Sequence, residues 1–408
     1  MNKPKKILVV GPSWVGDMVM AQSLFIALKN THPDCLIDVL SPSSTLSLLE
    51  RMPEVSKAIV MPLPRGKFGL MVRIKLGLSL RSKGYDQAIL LPNSWKSALT
   101  PFFANIPIRT GYIGECRWGL LNDARKLDKK LLTMTVQGFV ALGLPKDAPM
   151  PPDCPKPALT ISKERQQRVI DKFKLMPTTT APAPGSPTAY TPSMAIAESV
   201  PDSPTAYTPS MAIAESVPDR LTAYTPSMAI KILALCPGAE YGPAKRWPTR
   251  YYAEVARHKI DQGWQVWLFG SDKDKADAEQ INRAASGFCT DFTGRTSLAE
   301  AVDLLSLAHT VVSNDSGLMH VAAALDKKLI AIYGSSDPGF TPPLNDKARI
   351  LSLSLDCAPC FKRDCPLGHT RCLNDIKPER VLEFITLTQS GDKVTRQKHP
   401  LSKLPQIR

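Results

Sequence analysis

The sequence of 408 residues lacks several features that define specialised classes of protein. It contains no run approaching the roughly 20 apolar residues that a membrane-spanning helix needs. The apolar stretch Ile7–Val10, behind a basic N-terminus, is too short for the core of a signal peptide. The nine cysteines are an odd number, which argues against a secreted disulfide scaffold. We therefore expect a cytosolic protein with reduced thiols.

Acidic residues are scarce relative to basic ones. The chain has 51 lysines and arginines against 37 aspartates and glutamates, which gives a net charge of +14. Such a balance favours anionic partners, namely nucleic acid, acidic lipid headgroups or phosphorylated substrates. Because the charge is spread along the chain rather than gathered into one block, we do not expect a nucleic-acid partner. The length is sufficient for two or three domains with their own cores.

The stretch 311–325 combines the end of a strand, a tight turn and the start of a helix. Its first residues are β-branched and its last are rich in alanine. The turn between them, Asn314-Asp315-Ser316-Gly317, has side-chain oxygens that can cap a helix. A turn of this kind presents backbone N–H groups and the positive end of a helix at the carboxyl edge of a parallel sheet, where anions bind. We interpret it as a phosphate-and-sugar site; an ordinary strand–helix connection is the alternative.

The chain opens with a predicted strand, a glycine-bearing turn and a helix, at 6–10, 11–17 and 18–29. This order is typical of a doubly wound α/β fold. The glycines of the turn do not have the G-x-G-x-x-G spacing of dinucleotide-binding proteins, which argues against a nicotinamide enzyme. Asp17 lies where the helix begins. It is either an N-cap or a functional carboxylate that faces a cleft.

Further strands alternate with helical patterns, which indicates a parallel sheet with helices on both faces. They are predicted at 36–40, 58–60, 86–91 and 108–112. The segment 65–83 is both apolar and basic, as in a membrane-surface helix or in a core-packing helix whose cations reach the solvent. Trp95 follows a strand end, where it is a candidate for lining a ligand pocket.

A repeat interrupts the chain after predicted helices at 130–142 and 162–175. The 17-residue unit that begins at Pro187 recurs almost unchanged at 204–220 and begins again at 221–230. This period is shorter than those of solenoids and propellers. Units rich in proline, serine and threonine cannot build a core, so we predict that 178–230 is a disordered tandem-repeat insertion or linker.

A second alternation of strands and helices starts at the predicted strand 232–236. The loop 237–248 follows this strand and carries Lys245 and Arg246 between glycines and prolines. The two cations supply the charge that binds a diphosphate, although an exposed basic loop is the alternative. Two such domains on a linker form a cleft, and ligands favour clefts between domains.

Four of the nine cysteines lie close together in the sequence, with His369 among them. They follow the pattern C-x2-C-x4-C-x6-C at Cys357, Cys360, Cys365 and Cys372. These residue types suit a structural zinc or iron–sulfur centre, but the spacing differs from that of a standard zinc ribbon. Free thiols in a loop and disulfides are the alternatives.

Three blocks of sequence, in this order, resemble the family of ADP-heptose:lipopolysaccharide heptosyltransferases. They are Trp14-Val15-Gly16-Asp17, the loop 237–248 and the stretch 314–325, and the resemblance covers about 5–177 and 231–388. It implies a GT-B fold, in which two Rossmann-like, doubly wound parallel-sheet domains face a cleft. It also implies transfer of heptose from ADP-heptose, with inversion and without a required cofactor. The implied acceptor is the lipopolysaccharide inner core, a Kdo–lipid A that carries one heptose.

The resemblance also implies roles for individual residues. Asp17 matches the general base that takes the proton of the acceptor hydroxyl. Lys245 matches the lysine that stabilises charge on the departing ADP. Asp315 is expected to hold heptose hydroxyls, while Ser316 and Gly317 bind phosphate through nearby amides.

The remaining assignments complete the two sides of the expected cleft. His320 is expected to support the donor loop or to touch the donor. Gly238 and Asp272 belong to the donor side, the latter as a ribose contact. Trp14 and Trp95 belong to the acceptor side.

The expected domains are an acceptor-binding domain at 1–177, the insertion at 178–230, a donor-binding domain at 231–390 and a basic tail at 391–408. We expect a cytoplasmic enzyme, peripheral at the inner face of the cytoplasmic membrane, because an anionic glycolipid acceptor would account for the basic charge. A related GT-B heptosyltransferase with a different acceptor is one alternative. A non-catalytic sugar-nucleotide-binding protein, its hinge spoiled by the insertion, is another.

Overall fold

The described part of the chain contains two six-stranded parallel sheets within one compact unit. The structure is a computed structural model, and it describes residues 5–64, 66–175 and 230–387. The predicted basic tail, and all but the last residue of the predicted repeat insertion, lie outside these ranges. Among the described residues, no helix has both the length and the apolarity needed to cross a bilayer.

The first sheet has the strand order β3-β2-β1-β4-β5-β6, with every pairing parallel. Its strands are β1 (Lys6–Val10), β2 (Leu36–Pro42), β3 (Val55–Met61), β4 (Gln87–Leu90), β5 (Ile108–Tyr112) and β6 (Asp123–Arg125). The helices that accompany it are α1 (Val15–Thr31), α2 (Leu46–Leu49), α3 (Leu70–Leu80), α4 (Trp95–Phe103) and α5 (Thr135–Gly143). A further helix, α6 (Lys163–Lys172), follows them.

The second sheet repeats this arrangement with the order β12-β11-β10-β7-β8-β9, again with all pairings parallel. Its strands are β7 (Ile232–Cys236), β8 (Gln265–Leu268), β9 (Cys289–Asp291), β10 (Thr310–Asn314), β11 (Lys328–Ile332) and β12 (Ala348–Leu351). Its helices are α7 (Thr249–Asp261), α8 (Lys275–Ala284), α9 (Leu298–Leu305), α10 (Gly317–Ala324), α11 (Arg371–Asn374) and α12 (Pro378–Leu387).

The central strands are apolar throughout because both of their faces are covered. In β1, Ile7 and Val9 point into one hydrophobic cluster, whereas Leu8 lies in another on the opposite face of the sheet. The cluster that contains Ile7 and Val9 also contains Val311 of β10, so one continuous apolar core extends from the first sheet to the second. The helices α1 and α10 pack against each other within this core.

The two-sheet architecture expected from the sequence is confirmed, and β1, β5 and β7 have the predicted bounds. Three strands were missed, namely β6, β9 and β12. They are three or four residues long and lie at sheet edges, where burial on two faces does not impose a long apolar run. Helix α6 packs on α9, beside the second sheet, although it precedes the repeat region in the chain.

Candidate active site

The first turn of α1 places Asp17 at the carboxyl edge of the first sheet. The helix begins at Val15, with Trp14 in the N-cap position and no capping bond from its side chain. Asp17 is therefore the third residue of the helix, and the interpretation of this residue as the N-cap is wrong. A carboxylate in the first turn is favoured by the helix dipole. Its side chain lines a large cavity in front of the sheet.

The N-termini of α1 and α10 meet, and this contact depends on two glycines. A Cβ atom on Gly16 would lie 2.6 Å from Cδ2 of His320. A Cβ atom on Gly317 would lie 2.8 Å from Cβ of Val15. Real Cβ atoms do not approach other atoms so closely, so both positions need glycine for the helices to touch. The contact places Val15 and Gly16, at the start of α1, against Gly317 and His320, at the start of α10.

Lys245 and Asp315 form an ion pair at the centre of this turn. The Nζ atom of Lys245 lies 2.5 Å from Oδ2 of Asp315, and Ser336 donates its hydroxyl proton to the same oxygen at 2.6 Å. The Asp315 side chain is 5% exposed, so the two partners compensate for the loss of hydration of its charge. The ammonium group also lies 5.1 Å from the centre of the Tyr241 ring, within range of a cation–π interaction. Ser336 and Tyr241 were not predicted, because no spacing links them to the turn.

Asn314, the last residue of β10, connects three parts of the second sheet. Its Oδ1 accepts hydrogen bonds from the backbone N–H of Trp247 at 3.1 Å and from the Tyr252 hydroxyl at 3.0 Å. Its Nδ2 donates to the carbonyl oxygen of Pro237 at 2.5 Å. The side chain is fully buried, and these bonds hold the loop that carries Lys245 against the strand.

The donor-side candidates Gly238 and Asp272 lie at neighbouring strand ends, after β7 and β8. A Cβ atom on Gly238 would lie 2.6 Å from the buried carboxylate of Asp274, which sequence reasoning did not identify. Asp274 pairs with Arg246 at 3.1 Å and accepts from the Ser271 backbone at 2.9 Å, so it holds the two loops together. The Asp272 side chain is 80% exposed and pairs with a lysine in the next turn of the chain.

The remaining donor candidates, Ser316 and His320, belong to the start of α10. Ser316 occupies the N-cap position, and its hydroxyl lies 3.2 Å from that of Ser313. Burial lowers the pKa of His320 to about 4, because the imidazolium would lose its hydration, and nearby Lys245 acts in the same direction against the opposing effect of Asp315. His320 is therefore neutral at neutral pH and packs as an uncharged ring against α1.

The cavity in front of the first sheet has a volume of about 570 Å³ and a basic wall. Trp14 lines it together with Asp17, and Lys67, Arg73 and Lys96 contribute its cations. From the second sheet's side, residues 340–341 complete it. Of the two candidate tryptophans, Trp95 is not part of the lining; its ring lies on Phe68 instead, with the ring centres 4.8 Å apart.

The four clustered cysteines line one small cavity, and all are free thiols. They are Cys357, Cys360, Cys365 and Cys372. The backbone N–H groups of residues 367–370 bond to the Cys365 thiol and lower its pKa. Throughout the described residues, no group of three or more His, Cys, Asp and Glu side chains is arranged to hold a metal ion.

The cysteine loop also supports the loop that carries Lys245. The backbone N–H of Ala244 donates to the carbonyl oxygen of Arg363 at 3.0 Å, and the Tyr241 hydroxyl donates to that of Phe361 at 2.6 Å. The carbonyl oxygen of Ser335 accepts a hydrogen bond from the backbone N–H of Phe361 at 2.7 Å. The cluster thus lies directly behind the candidate diphosphate site.

Comparisons with known proteins identify relatives of this chain. The family model described as Glycosyltransferase family 9 (heptosyltransferase) matches residues 73–371. The chain is 43% identical to lipopolysaccharide heptosyltransferase 2 of Salmonella typhimurium over 389 residues, which cover 93% of this chain and 97% of that protein. It is 43% identical to lipooligosaccharide heptosyltransferase 2 of Haemophilus influenzae over 385 residues, which cover 92% and 97%.

The fold is also similar to that of a solved relative. The structure of E. coli ADP-heptose lps heptosyltransferase II matches with a TM-score of 0.72 and 40% sequence identity. The match covers 93% of this chain and 97% of that one. The similarity confirms the GT-B arrangement of two doubly wound sheets that the resemblance implied.

Proposed function

Because the chain belongs to glycosyltransferase family 9, the heptosyltransferases, and is a glycosyltransferase, we propose that it builds the inner core of lipopolysaccharide. The proposed donor is ADP-heptose, and the proposed acceptor is a Kdo–lipid A that already carries one heptose. The identity to lipopolysaccharide heptosyltransferase 2 over 97% of that protein's length supports this choice. In this proposal residues 1–177 bind the acceptor and residues 231–390 bind the donor.

The contact between α1 and α10 is the observation that carries the proposal. It packs Gly16, the neighbour of Asp17 in α1, against His320 of α10, and α10 begins directly after Asp315, the ion-pair partner of Lys245. A base on the acceptor side and a cation on the donor side are the two groups that a single displacement needs.

Asp17 is the proposed general base of an inverting reaction. The acceptor hydroxyl oxygen bonds to the anomeric carbon of heptose as its proton passes to the Asp17 carboxylate. The bond from that carbon to the phosphate oxygen breaks, and its electron pair leaves with ADP. Because attack and departure occur on opposite faces, the configuration at the anomeric carbon inverts.

Lys245 is the proposed partner of the departing diphosphate. Its ammonium group now pairs with Asp315, at a site where Lys245 is 18% exposed. We propose that the donor diphosphate takes this cation, and that Asp315, held by Ser336, then accepts hydrogen bonds from heptose hydroxyls. A charge-assisted contact of this kind stabilises the leaving group as its negative charge grows.

The start of α10 supplies further positive potential for the diphosphate. Ser316 and Gly317 lie at the N-terminus of this helix, where backbone N–H groups lack partners within the helix. Together with Lys245 they would neutralise the leaving group, so the proposed reaction requires no cofactor. Gly238 and Asp272 complete the proposed donor side, the latter towards the ribose.

The basic cavity beside Asp17 supports an anionic acceptor. Lys67, Arg73 and Lys96 line it, whereas Asp17 is the acidic residue of its lining. Inner-core glycolipids carry carboxylate and phosphate groups that such a wall would bind. Because this acceptor is anchored in lipid, we propose that the enzyme works at the inner face of the cytoplasmic membrane.

The test is transfer of heptose from ADP-heptose to the mono-heptosylated acceptor by wild type, Asp17→Asn and Asp17→Ala. We expect kcat to fall by about 100-fold or more in both variants, because acid–base groups contribute on that order. The dissociation constant of ADP-heptose should stay within about two-fold. Asp34→Asn, in the exposed turn before β2, is the matched control and should keep wild-type activity.

Three outcomes would change the proposal. Absence of transfer by wild type despite tight binding of ADP-heptose would point to a different acceptor or to a non-catalytic binding protein. Unchanged kcat in Asp17→Ala would leave the family membership intact but reject Asp17 as the base. Retained configuration in the product, measured by NMR of the new glycosidic bond, would reject the single displacement.

A further inference from the structure

Helix α3 exposes an apolar stripe to the solvent. The buried residues of the helix, Arg73, Gly77 and Leu80, follow one another at helical spacing and face α4. Met71 and Leu78 lie on the opposite side of the helix. They are seven residues apart, which places them in one stripe, and they are 62% and 45% exposed. Arg73 is buried, so this cation does not reach the solvent as the core-packing alternative for 65–83 expects.

Further apolar side chains adjoin this stripe and complete a surface that we call the apolar–basic face. Its apolar members are Phe68, Leu70, Met71, Leu78 and Trp95, each at least 39% exposed. The Phe68 and Trp95 rings are in contact, with their planes tilted by 46°. These two parts of the chain are held together by Arg73, which donates to the carbonyl oxygens of Phe68 at 2.7 Å and Lys96 at 3.3 Å.

Cations predominate around this face. Lys75 lies within the stripe, between Met71 and Leu78, and Lys67 and Lys96 lie at the edge next to the cavity. Although the net charge is distributed along the whole chain, residues 55–115 contain nine lysines and arginines and two acidic residues, Asp86 and Glu115. The Glu115 carboxylate accepts a hydrogen bond from the backbone N–H of Trp95 at 3.1 Å. The apolar side chains therefore lie in a part of the chain with a clear excess of cations.

We propose that the apolar–basic face docks on the anionic surface of a lipid bilayer, with its apolar side chains among the headgroups and its lysines on lipid phosphates. This inference rests on the proposed function, which supplies a lipid-anchored acceptor. Amphipathic helices at membrane interfaces combine these two features, and tryptophan is enriched at that depth. Protein–protein interfaces are instead depleted in lysine, which favours a bilayer over a protein partner.

The position of the face explains how a lipid-anchored sugar would reach Asp17. Lys67 and Lys96 belong both to the edge of the face and to the lining of the 570 Å³ cavity. A bilayer against the face would therefore lie beside the entrance to that cavity. The acceptor sugars would enter it while their lipid anchor stayed in the membrane.

The test compares the full-length wild type with a triple variant, Met71→Ser, Lys75→Glu and Leu78→Ser, none of which lines the cavity. Binding is measured by co-sedimentation with vesicles of phosphatidylethanolamine and phosphatidylglycerol. We expect the triple variant to bind these vesicles at least about 10-fold more weakly, because both the apolar and the electrostatic contributions are lost. The control variant, Arg283→Glu with Phe288→Ser, changes an exposed cation and an exposed aromatic beside the second sheet and should bind like wild type.

Transfer is measured in parallel on two acceptors, one embedded in the same vesicles and one deacylated and soluble. The triple variant should lose activity on the embedded acceptor by a similar factor and keep wild-type activity on the soluble one, which also shows that it is folded. Equal vesicle binding by the triple variant and wild type would overturn the proposal. A change in self-association without a change in vesicle binding would overturn it in favour of a protein contact. Failure of wild type to use either acceptor would reject the proposed function, while vesicle binding would still decide whether the face docks on lipid.

Discussion

Arg51 and Asp303 form a buried, bidentate ion pair across 252 residues of sequence. Nη1 of Arg51 lies 2.8 Å from Oδ1 of Asp303, and Nη2 lies 2.7 Å from Oδ2. The two side chains are 0% and 3% exposed. Arg51 follows α2 beside the first sheet and Asp303 lies in α9 beside the second, so the pair joins the two halves of the molecule.

Removal of one member of this pair should destabilise the protein strongly. Asp303→Asn leaves the buried charge of Arg51 uncompensated, and Arg51→Met leaves that of Asp303 uncompensated. Each variant should lower the free energy of unfolding by about 3 kcal/mol. Urea denaturation measures the change. The double variant Arg51→Met with Asp303→Leu should lose less than the sum of the single variants, because it leaves no unpaired charge. In the exposed pair Arg380–Glu383, Arg380→Ala should cost about 0.5 kcal/mol or less; an equal loss at both pairs would contradict this account.

Lys245→Met should lower kcat on the order of 100-fold, because the leaving diphosphate would lose its cation. Steady-state kinetics with ADP-heptose, together with a binding measurement for ADP, would separate loss of donor affinity from loss of rate. Lys273→Met is the matched control, since Lys273 is an exposed lysine paired with Glu240 beside the same sheet. If Lys245→Met retained wild-type kcat, Lys245 would be only a structural partner of Asp315.

Ser336→Ala should reduce kcat/KM about 10-fold or more, because a hydrogen bond to a charged group such as the Asp315 carboxylate is worth about 1.5–3 kcal/mol. The neighbouring variant Ser335→Ala is a stringent control. The Ser335 hydroxyl oxygen is buried and, within the described residues, has no hydrogen-bond partner, so its removal should leave the rate unchanged. The same loss in both variants would show that any change in this loop disturbs the site.

Gly16→Ala should separate the start of α1 from His320, because the new methyl group would lie 2.6 Å from the ring. We expect a loss of about 1–3 kcal/mol in the free energy of unfolding, typical of overpacking, and reduced transfer as Asp17 shifts. Gly138→Ala is the control, since the nearest atom to a Cβ there lies at 3.9 Å. Gly16→Ala combined with His320→Ala should recover part of the stability, and no recovery would place the strain elsewhere.

His320 should make the stability depend on pH between about 4 and 6.5. Its pKa is about 4 in the folded protein and near 6.5 when unfolded, so the unfolded state binds the proton first as pH falls. The stabilisation is complete above about pH 6.5 and is lost as pH falls through 4. Between pH 7 and pH 5, His320 should account for about 2 kcal/mol of the decrease in the free energy of unfolding.

Urea denaturation at both pH values measures this contribution. His320→Gln should reduce the decrease by that amount, which separates His320 from the carboxylates that titrate in the same range. His258→Gln, at an exposed position of α7, should keep the wild-type dependence. If His320→Gln kept it as well, the ring would be accessible to protons in the folded protein.

Helix α3 shows what the sequence predicts and what only tertiary packing determines. The sequence indicated that 65–83 is apolar and basic, but not which side chains face inward. The packing of α3 on α4 determines this, because Gly77 allows close contact between the helices and Arg73 donates a hydrogen bond to the carbonyl oxygen of Lys96 in α4. Met71 and Leu78 remain outside as a consequence.

The sequence by itself determined the doubly wound architecture and the positions of the glycine-bearing turns that follow the strands. Runs such as Ile7–Val10 and Ile232–Cys236 are apolar on consecutive residues, which is what a strand covered on both faces requires, and glycine-bearing turns follow them. Only the tertiary structure decided that Asp17 lies inside α1 and that Lys245 pairs with Asp315 and Ser336. The ion pair and its hydrogen bond join residues that are distant in the chain, and α1 packs on α10 through Gly16 and Gly317, which are equally distant from each other in the sequence.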